Sequence, residues 1–189
     1  DISSGQSSNG IILNNNGIMY ISSGGVANNT TVNSYGYMSI FSGGVANSTT
    51  INSGGSMTIS SGGTHRGSLQ LETGAVISAY SGSTIDFTVA DRTSTDDYLI
   101  NDLSLINGMP TYTITISENQ AYGTYKLAQV ASSLTGTISI GTEDTIYGSI
   151  TVNGADFVYN GITYSLDQIN EAHKTNLAMS GLKIAIINK

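Results

Sequence analysis

The 189 residues contain no cysteine, no tryptophan and a single proline, Pro110. Without cysteine there are no disulfides and no thiolate metal sites. Charge is scarce too. Asp, Glu, Lys and Arg make up 10% of the chain, against about 25% in ordinary soluble domains. The few charges are unevenly placed: residues 1–84 hold only Asp1, Arg66 and Glu72, whereas residues 85–189 hold eleven acids against five bases. No cluster of Lys and Arg exists to neutralise phosphates, which excludes nucleic acid as a partner and disfavours an anionic membrane surface. No apolar run reaches the roughly 20 residues of a spanning helix, so direct insertion into a membrane is not expected. No signal-peptide pattern occurs. Asp1 leads straight into a complete repeat, so the chain reads as a segment of a longer protein and the missing targeting signal excludes nothing.

Low charge combined with low hydrophobicity would point to disorder, but Ile, Val and Thr are plentiful here and recur periodically. Residues 2–20, 21–39 and 40–58 are three copies of one 19-residue unit, each opening on Ile, and a slightly stretched fourth copy starts at Ile59. A period this short marks a solenoid whose rungs bury their apolar faces only by stacking. Ile2, Ile21, Ile40 and Ile59 form one apolar column. Met19, Met38 and Met57 stand two residues before the later isoleucines, the alternation of a half-buried strand. Leu13, Val32 and Ile51 form a second column after Thr-rich stretches. Each rung therefore reads as two short strands, with Gly24-Gly25, Gly43-Gly44 and Gly62-Gly63 at one corner and Gly17, Gly36 and Gly55 at the other. Stacked Asn14, Asn33 and Asn52, and stacked Asn9, Asn28 and Asn47, are placed to form amide ladders between rungs.

In the fourth copy the pattern holds only if one residue is inserted before Leu71, and it fades after Ser83. The expected fold is all-β: a parallel β-helix of 19-residue rungs over residues 1–84, continued over 85–189 by wider irregular rungs that cap the coil. Strands are expected at 85–89, 98–106, 111–117, 124–128, 136–140, 149–152, 157–159, 163–166 and 182–187. Ser165–Gln168 resembles a capping box ahead of one helical turn over 169–174.

The phrases Ser22-Ser-Gly-Gly-Val-Ala-Asn28, Thr31-Val-Asn-Ser34 and Thr50-Ile-Asn-Ser-Gly-Gly-Ser56 resemble the passenger repeats of AIDA-type autotransporter adhesins. The likeness covers residues 2–82. Ile85-Asp-Phe-Thr-Val89, the stretch Asp97–Ser104 and Gly123-Thr-Tyr-Lys-Leu127 are similar to units that follow such repeats in large bacterial surface proteins. The resemblance implies a β-helix exported to the bacterial cell surface. It also implies attachment to a host surface glycan or protein, or to another copy of the chain, and O-linked heptose on Ser or Thr. Ser22, Ser23, Ser42, Ser60 and Ser61 stand in the serine-rich corner where such sugars would attach. Two departures stand out: no translocator barrel is present, and Gln6 replaces the glycine found at Gly25, Gly44 and Gly63.

Solenoids present flat flanks, which weighs against enzymatic chemistry. A glycan-cleaving β-helix needs paired carboxylates, and the rungs offer only Asp1 and Glu72. Asp96-Asp97 with Asp102, and Glu143-Asp144, lack the spacing of calcium loops and read as solvated acidic loops. His65 and His173 lie far apart, and no nucleophile-elbow phrase accompanies them. No catalytic, metal-binding or cofactor residue is therefore assigned. Tyr20, Tyr35, Tyr37 and Tyr80 remain as candidate contact aromatics, able to stack on sugars or on another protein copy, or simply to pack against neighbouring rungs. A structural stalk displaying another domain is the alternative to adhesion, and a glycan-cleaving β-helix with acids drawn from residues 85–189 is a further one.

Overall fold

The computed structural model describes residues 1–90, 92–93, 96–117, 123–131, 134–153, 156–159, 162–165 and 182–186. The chain divides into two units, Asp1–Asp86 with Leu105–Thr111, and Phe87–Ser104 with Tyr112–Lys189.

The first unit is a parallel β-solenoid. Its first rung carries β1 (Ser7–Asn9), β2 (Ile12–Leu13) and β3 (Ile18–Ile21). In each later rung one long strand replaces the first two. Thus β4 (Val26–Val32) precedes β5 (Tyr37–Ile40), β6 (Val45–Ile51) precedes β7 (Ser56–Ile59), and β8 (Thr64–Leu71) precedes β9 (Val76–Ala79). Next come β10 (Thr84–Thr88) and, after a longer excursion, β11 (Ile106–Gly108). Short strands stack in the order β3-β5-β7-β9-β11, and long strands in the order β1-β4-β6-β8-β10, with β2 also on β4.

Identical positions pair in parallel register, Met19 with Met38 and Met38 with Met57, Ile21 with Ile40 and Ile40 with Ile59. The 19-residue period is thus the length of one turn. Of the two short strands expected in each rung, one is instead long and bends at its middle. Gly10, Asn29, Ser48 and Gly67 all take a positive φ there, giving each rung a third corner. Chain direction changes at that point without leaving the sheet, as at a β-bulge.

Five inward columns fill the core. They are Ile2/Ile21/Ile40/Ile59/Ala79, Met19/Met38/Met57/Ile77, Leu13/Val32/Ile51/Leu71, Ala27/Ala46/His65/Ile85, and Thr30/Thr49/Leu69, all buried. The extra residue of the fourth rung falls in β8: Asn47 pairs with Arg66 but Thr49 with Leu69. Of the amide ladders, the column Asn14, Asn33 and Asn52 is joined by side-chain bonds of 2.6 Å each, Asn33 donating to Asn14 and Asn52 to Asn33. Asn47 donates to Asn28 at 2.9 Å, but Asn28 donates to the Ser8 carbonyl and Asn9 accepts from Asn29 instead. Asn9 keeps its backbone register opposite Asn28, so only the side-chain bond departs from the expected ladder.

In the second unit β12 (Thr111–Thr115), β13 (Gly123–Ala128), β14 (Thr135–Gly141), β15 (Ile146–Asn153), β16 (Asp156–Tyr159), β17 (Ile162–Ser165) and β18 (Leu182–Ile186) follow in sequence. Wider rungs occur, but briefly. Ile106 pairs in parallel with Ile77, 29 positions earlier, and Ser139 with Thr113, 26 positions earlier. Beyond that the expectation of continued rungs fails, because β14, β15, β16 and β17 run as an antiparallel meander and β13 pairs antiparallel with β18. Links of two to four residues between these strands leave no room for the crossover a parallel pair needs.

The strand expected over 98–106 is also replaced. Ile100 makes one isolated bridge to Ala128, Leu103–Leu105 form a 3-10 turn, and Ile106 opens β11. Buried Leu99, Ile100 and Leu103 produce the apolar pattern without a ladder. The helical turn over 169–174 and His173 lie outside the described residues.

Candidate functional site

The serine corner is a tight turn closed by a backbone bond from the fourth residue to the first. Gly25 N–H donates to the Ser22 carbonyl at 2.8 Å, Gly44 to Phe41 at 2.9 Å and Gly63 to Ser60 at 2.8 Å. Gly24 and Gly43 take the positive φ that the third turn position demands. Successive corners are also joined along the stack: Gly24 N–H donates to Gly43 O, and Gly43 N–H to Gly62 O. The corner is therefore a continuation of the sheet ladder.

Geometry divides the five candidate serines. Ser23, Ser42 and Ser61 occupy the second turn position, exposed, in one column at one-rung intervals. Ser22 and Ser60 stand at the first position and are half-buried. The same column alternates them with larger residues, running Ser22, Phe41, Ser60 and Tyr80.

The candidate aromatics do not form one group. Tyr20 and Tyr37 lie on the outer face of the short-strand sheet, ring centroids 6.5 Å apart and edge to face. Phe41, which the sequence reading passed over, completes the cluster at 5.8 Å from Tyr20. Its signal was present as an aromatic in a column that carries serine in the rungs on either side. Tyr80 stands two rungs further along that column, exposed.

Tyr35 is elsewhere, at the corner also occupied by Asn16, Gly54 and Gly74. It is 73% exposed and holds φ at 60°. A left-handed backbone costs a bulky L-residue about 1–2 kcal/mol, and glycine returns part of that as unfolded-chain entropy. Tyr35→Gly, which copies the next rung, is expected to raise stability by about 0.5–1 kcal/mol. The check is a higher denaturant midpoint at unchanged slope. A lower midpoint would mean that the ring contributes more by packing than its backbone costs.

Three acidic residues of the second unit are engaged locally. Asp96 accepts from the Thr93 N–H at 2.8 Å and faces Arg92 at 4.0 Å. The Thr93 bond, helped by Arg92, holds its carboxyl below the usual range. Asp97 lies 3.7 Å from Lys126, and Asp102 accepts from the Ser104 N–H and hydroxyl. Among the described residues no three His, Asp or Glu side chains converge as metal ligands do. His65 is fully buried in the rung core with both ring nitrogens unpartnered, and burial lowers its pKa to about 4. Among the described residues no helix is long and apolar enough to cross a membrane.

The first unit is thus a slim parallel solenoid with a 19-residue turn, chargeless over residues 2–64. Residues 1–55 match the family model AIDA, described as the adhesin of the bacterial autotransporter system, probable stalk. The repeat segment is thus similar over these residues to the stalk of AIDA-type autotransporter adhesins. No curated protein matches the chain. Among solved structures, the chain is similar to a TibC-catalysed, hyper-glycosylated fragment of TibA, with 28% identity and a TM-score of 0.43. That match covers 61% of this chain and 45% of the TibA fragment, so it spans under half of the latter's length.

Proposed function

We propose that this chain is a non-enzymatic part of an exported bacterial surface adhesin, and that its flank provides attachment or self-association. The repetition of identical exposed side chains, one rung apart, carries this reading. Stacked rungs recur at about 4.8 Å, so any weak contact made by one corner is offered again by the next. Affinity then comes from avidity along the stack, with no single strong site. Ser23, Ser42 and Ser61 are the hydroxyls best placed to carry O-linked sugar. They are exposed, in one column, and on a backbone already satisfied by turn and ladder bonds. Intact mass of the protein from its native source reads this directly, as sugar-sized increments lost in the triple serine-to-alanine variant.

The test of the adhesive role is a length series. Chains with the Ile21–Ser39 unit inserted in further copies are expected to attach to cells with steeply rising avidity. Equal attachment per molecule at all lengths would reject the reading. The matched family's description as a probable stalk favours a second role, in which rungs only extend another domain. Corner ladders that bond every rung to the next suit that role as well. A stalk predicts that adding or deleting rungs changes reach and leaves attachment strength unaltered.

A further inference from the structure

We propose that Tyr20, Tyr37 and Phe41 form a stacking platform for an uncharged sugar ring, on the outer face of the short-strand sheet. This rests on the adhesin reading and assigns it a ligand class and a place. Three observations carry it. Ring contacts tie the residues into one cluster spanning two rungs, with Tyr20 edge to face with Tyr37 and tilted 41° to Phe41. The cluster stays open, since Tyr20 is 38% and Phe41 42% exposed, and beside them Ile18 is 57% exposed. Finally, no Asp, Glu, Lys or Arg occurs between residues 2 and 64.

A ligand bearing carboxylate, sulfate or phosphate would gain no countercharge here and would give up its own hydration. What the surface does offer is the combination an uncharged pyranose needs. Aromatic rings meet its C–H face. Hydroxyls in the same outward columns, Ser22 and Thr58 among them, are half-buried and available to its O–H groups.

The columns supply their own controls. Position 20 is Ser39 and Thr58 in later rungs, position 37 is Ser56, and position 41 is Ser22 and Ser60. Tyr20→Thr, Tyr37→Ser and Phe41→Ser therefore install residues the fold already accepts at those sites. The whole chain is titrated with lactose, cellobiose and a sialylated trisaccharide, followed by saturation-transfer NMR with irradiation of the aromatic protons. A neutral sugar is expected to bind in the millimolar range typical of one small platform. The triple variant should weaken it about tenfold or more, with Ile12→Thr, an exposed apolar residue of β2 on the other sheet, as an unaffected control. Transfer from aromatic protons of the unsubstituted chain tests the same point without any variant.

No binding of either neutral sugar, equal binding of the sialylated one, or binding indifferent to the triple variant would each overturn the proposal. So would a dimer, detected by sedimentation, that the triple variant abolishes, because the patch would then be occupied by a second copy. The rung-length series is read without added sugar. Loss of avidity there and loss of sugar binding here are separate failures.

Discussion

Gly44→Ala is expected to destabilise the solenoid more than Gly43→Ala, although Gly43 is the glycine with the left-handed backbone. A Cβ on Gly44 would lie 2.4 Å from the Ile21 carbonyl oxygen and 3.1 Å from that of Phe41. Both obstacles are backbone, and the Ile21 carbonyl accepts the ladder bond from Phe41 N–H at 2.9 Å. Relief requires two rungs to separate. At Gly43, φ is 73° and the nearest obstacle is the Ser23 Oγ at 2.6 Å, the end of a side chain that can rotate.

The expected cost is about 1–2 kcal/mol for Gly43→Ala and about 3–4 kcal/mol for Gly44→Ala, the upper range of overpacking. Native stabilities of about 5–15 kcal/mol make the second loss severe. Denaturant unfolding followed by far-UV circular dichroism reads the difference. Equal effects, or a larger one at Gly43, would show that the rungs yield easily at this corner. The column does carry a side chain at Ser83, 20 positions from Gly63, where the hydroxyl donates to the Tyr80 carbonyl at 2.6 Å.

Lowering the pH from 7 to 4 is expected to cost the first unit about 3 kcal/mol through His65 alone. Its ring lies in the inward column between Ala46 and Ile85, and burial lowers its pKa from 6.5 to about 4. The folded chain therefore keeps this ring neutral where the unfolded chain has already protonated it. Between about pH 6.5 and 4 the unfolded state binds the extra proton, so stability falls as the pH falls through that window and is intact above it.

His65→Leu should flatten the profile across the window. It should also raise stability at pH 7 by about 1–3 kcal/mol, because two buried nitrogens without partners are removed and an apolar side chain continues the column. Urea titrations of both proteins at several pH values provide the check, and the difference between them cancels the carboxylates they share. A parallel pair of pH profiles would mean that the His65 ring finds a partner or water.

Much of the first unit was legible because a stacked rung repeats its environment. Ile21, Ile40 and Ile59 see the same neighbours, so selection for one inward position is written once every 19 residues. The fourth-rung insertion was legible for the same reason, since a break in the period has nowhere to hide. The candidate site was less so. Tyr20 and Tyr37 were singled out with Tyr35 and Tyr80, but nothing in their spacing said that the first two touch. Phe41 was masked by serines in the same column, and Ser22 looked equivalent to Ser23 although only the latter is exposed.

Composition and period were enough to establish a charge-poor, all-β solenoid with a 19-residue turn, its aliphatic columns and the end of the repeat near Ser83. Local alternation and repetition suffice where every rung meets a copy of itself. The third corner at Asn29 and Ser48, the antiparallel meander of β14 to β17, the 3-10 turn at Leu103 and the three-ring cluster were decided only by tertiary structure. Each depends on which strand lies beside which, and once the repeat ends that pairing involves unlike sequences whose alternation is compatible with parallel and antiparallel neighbours alike.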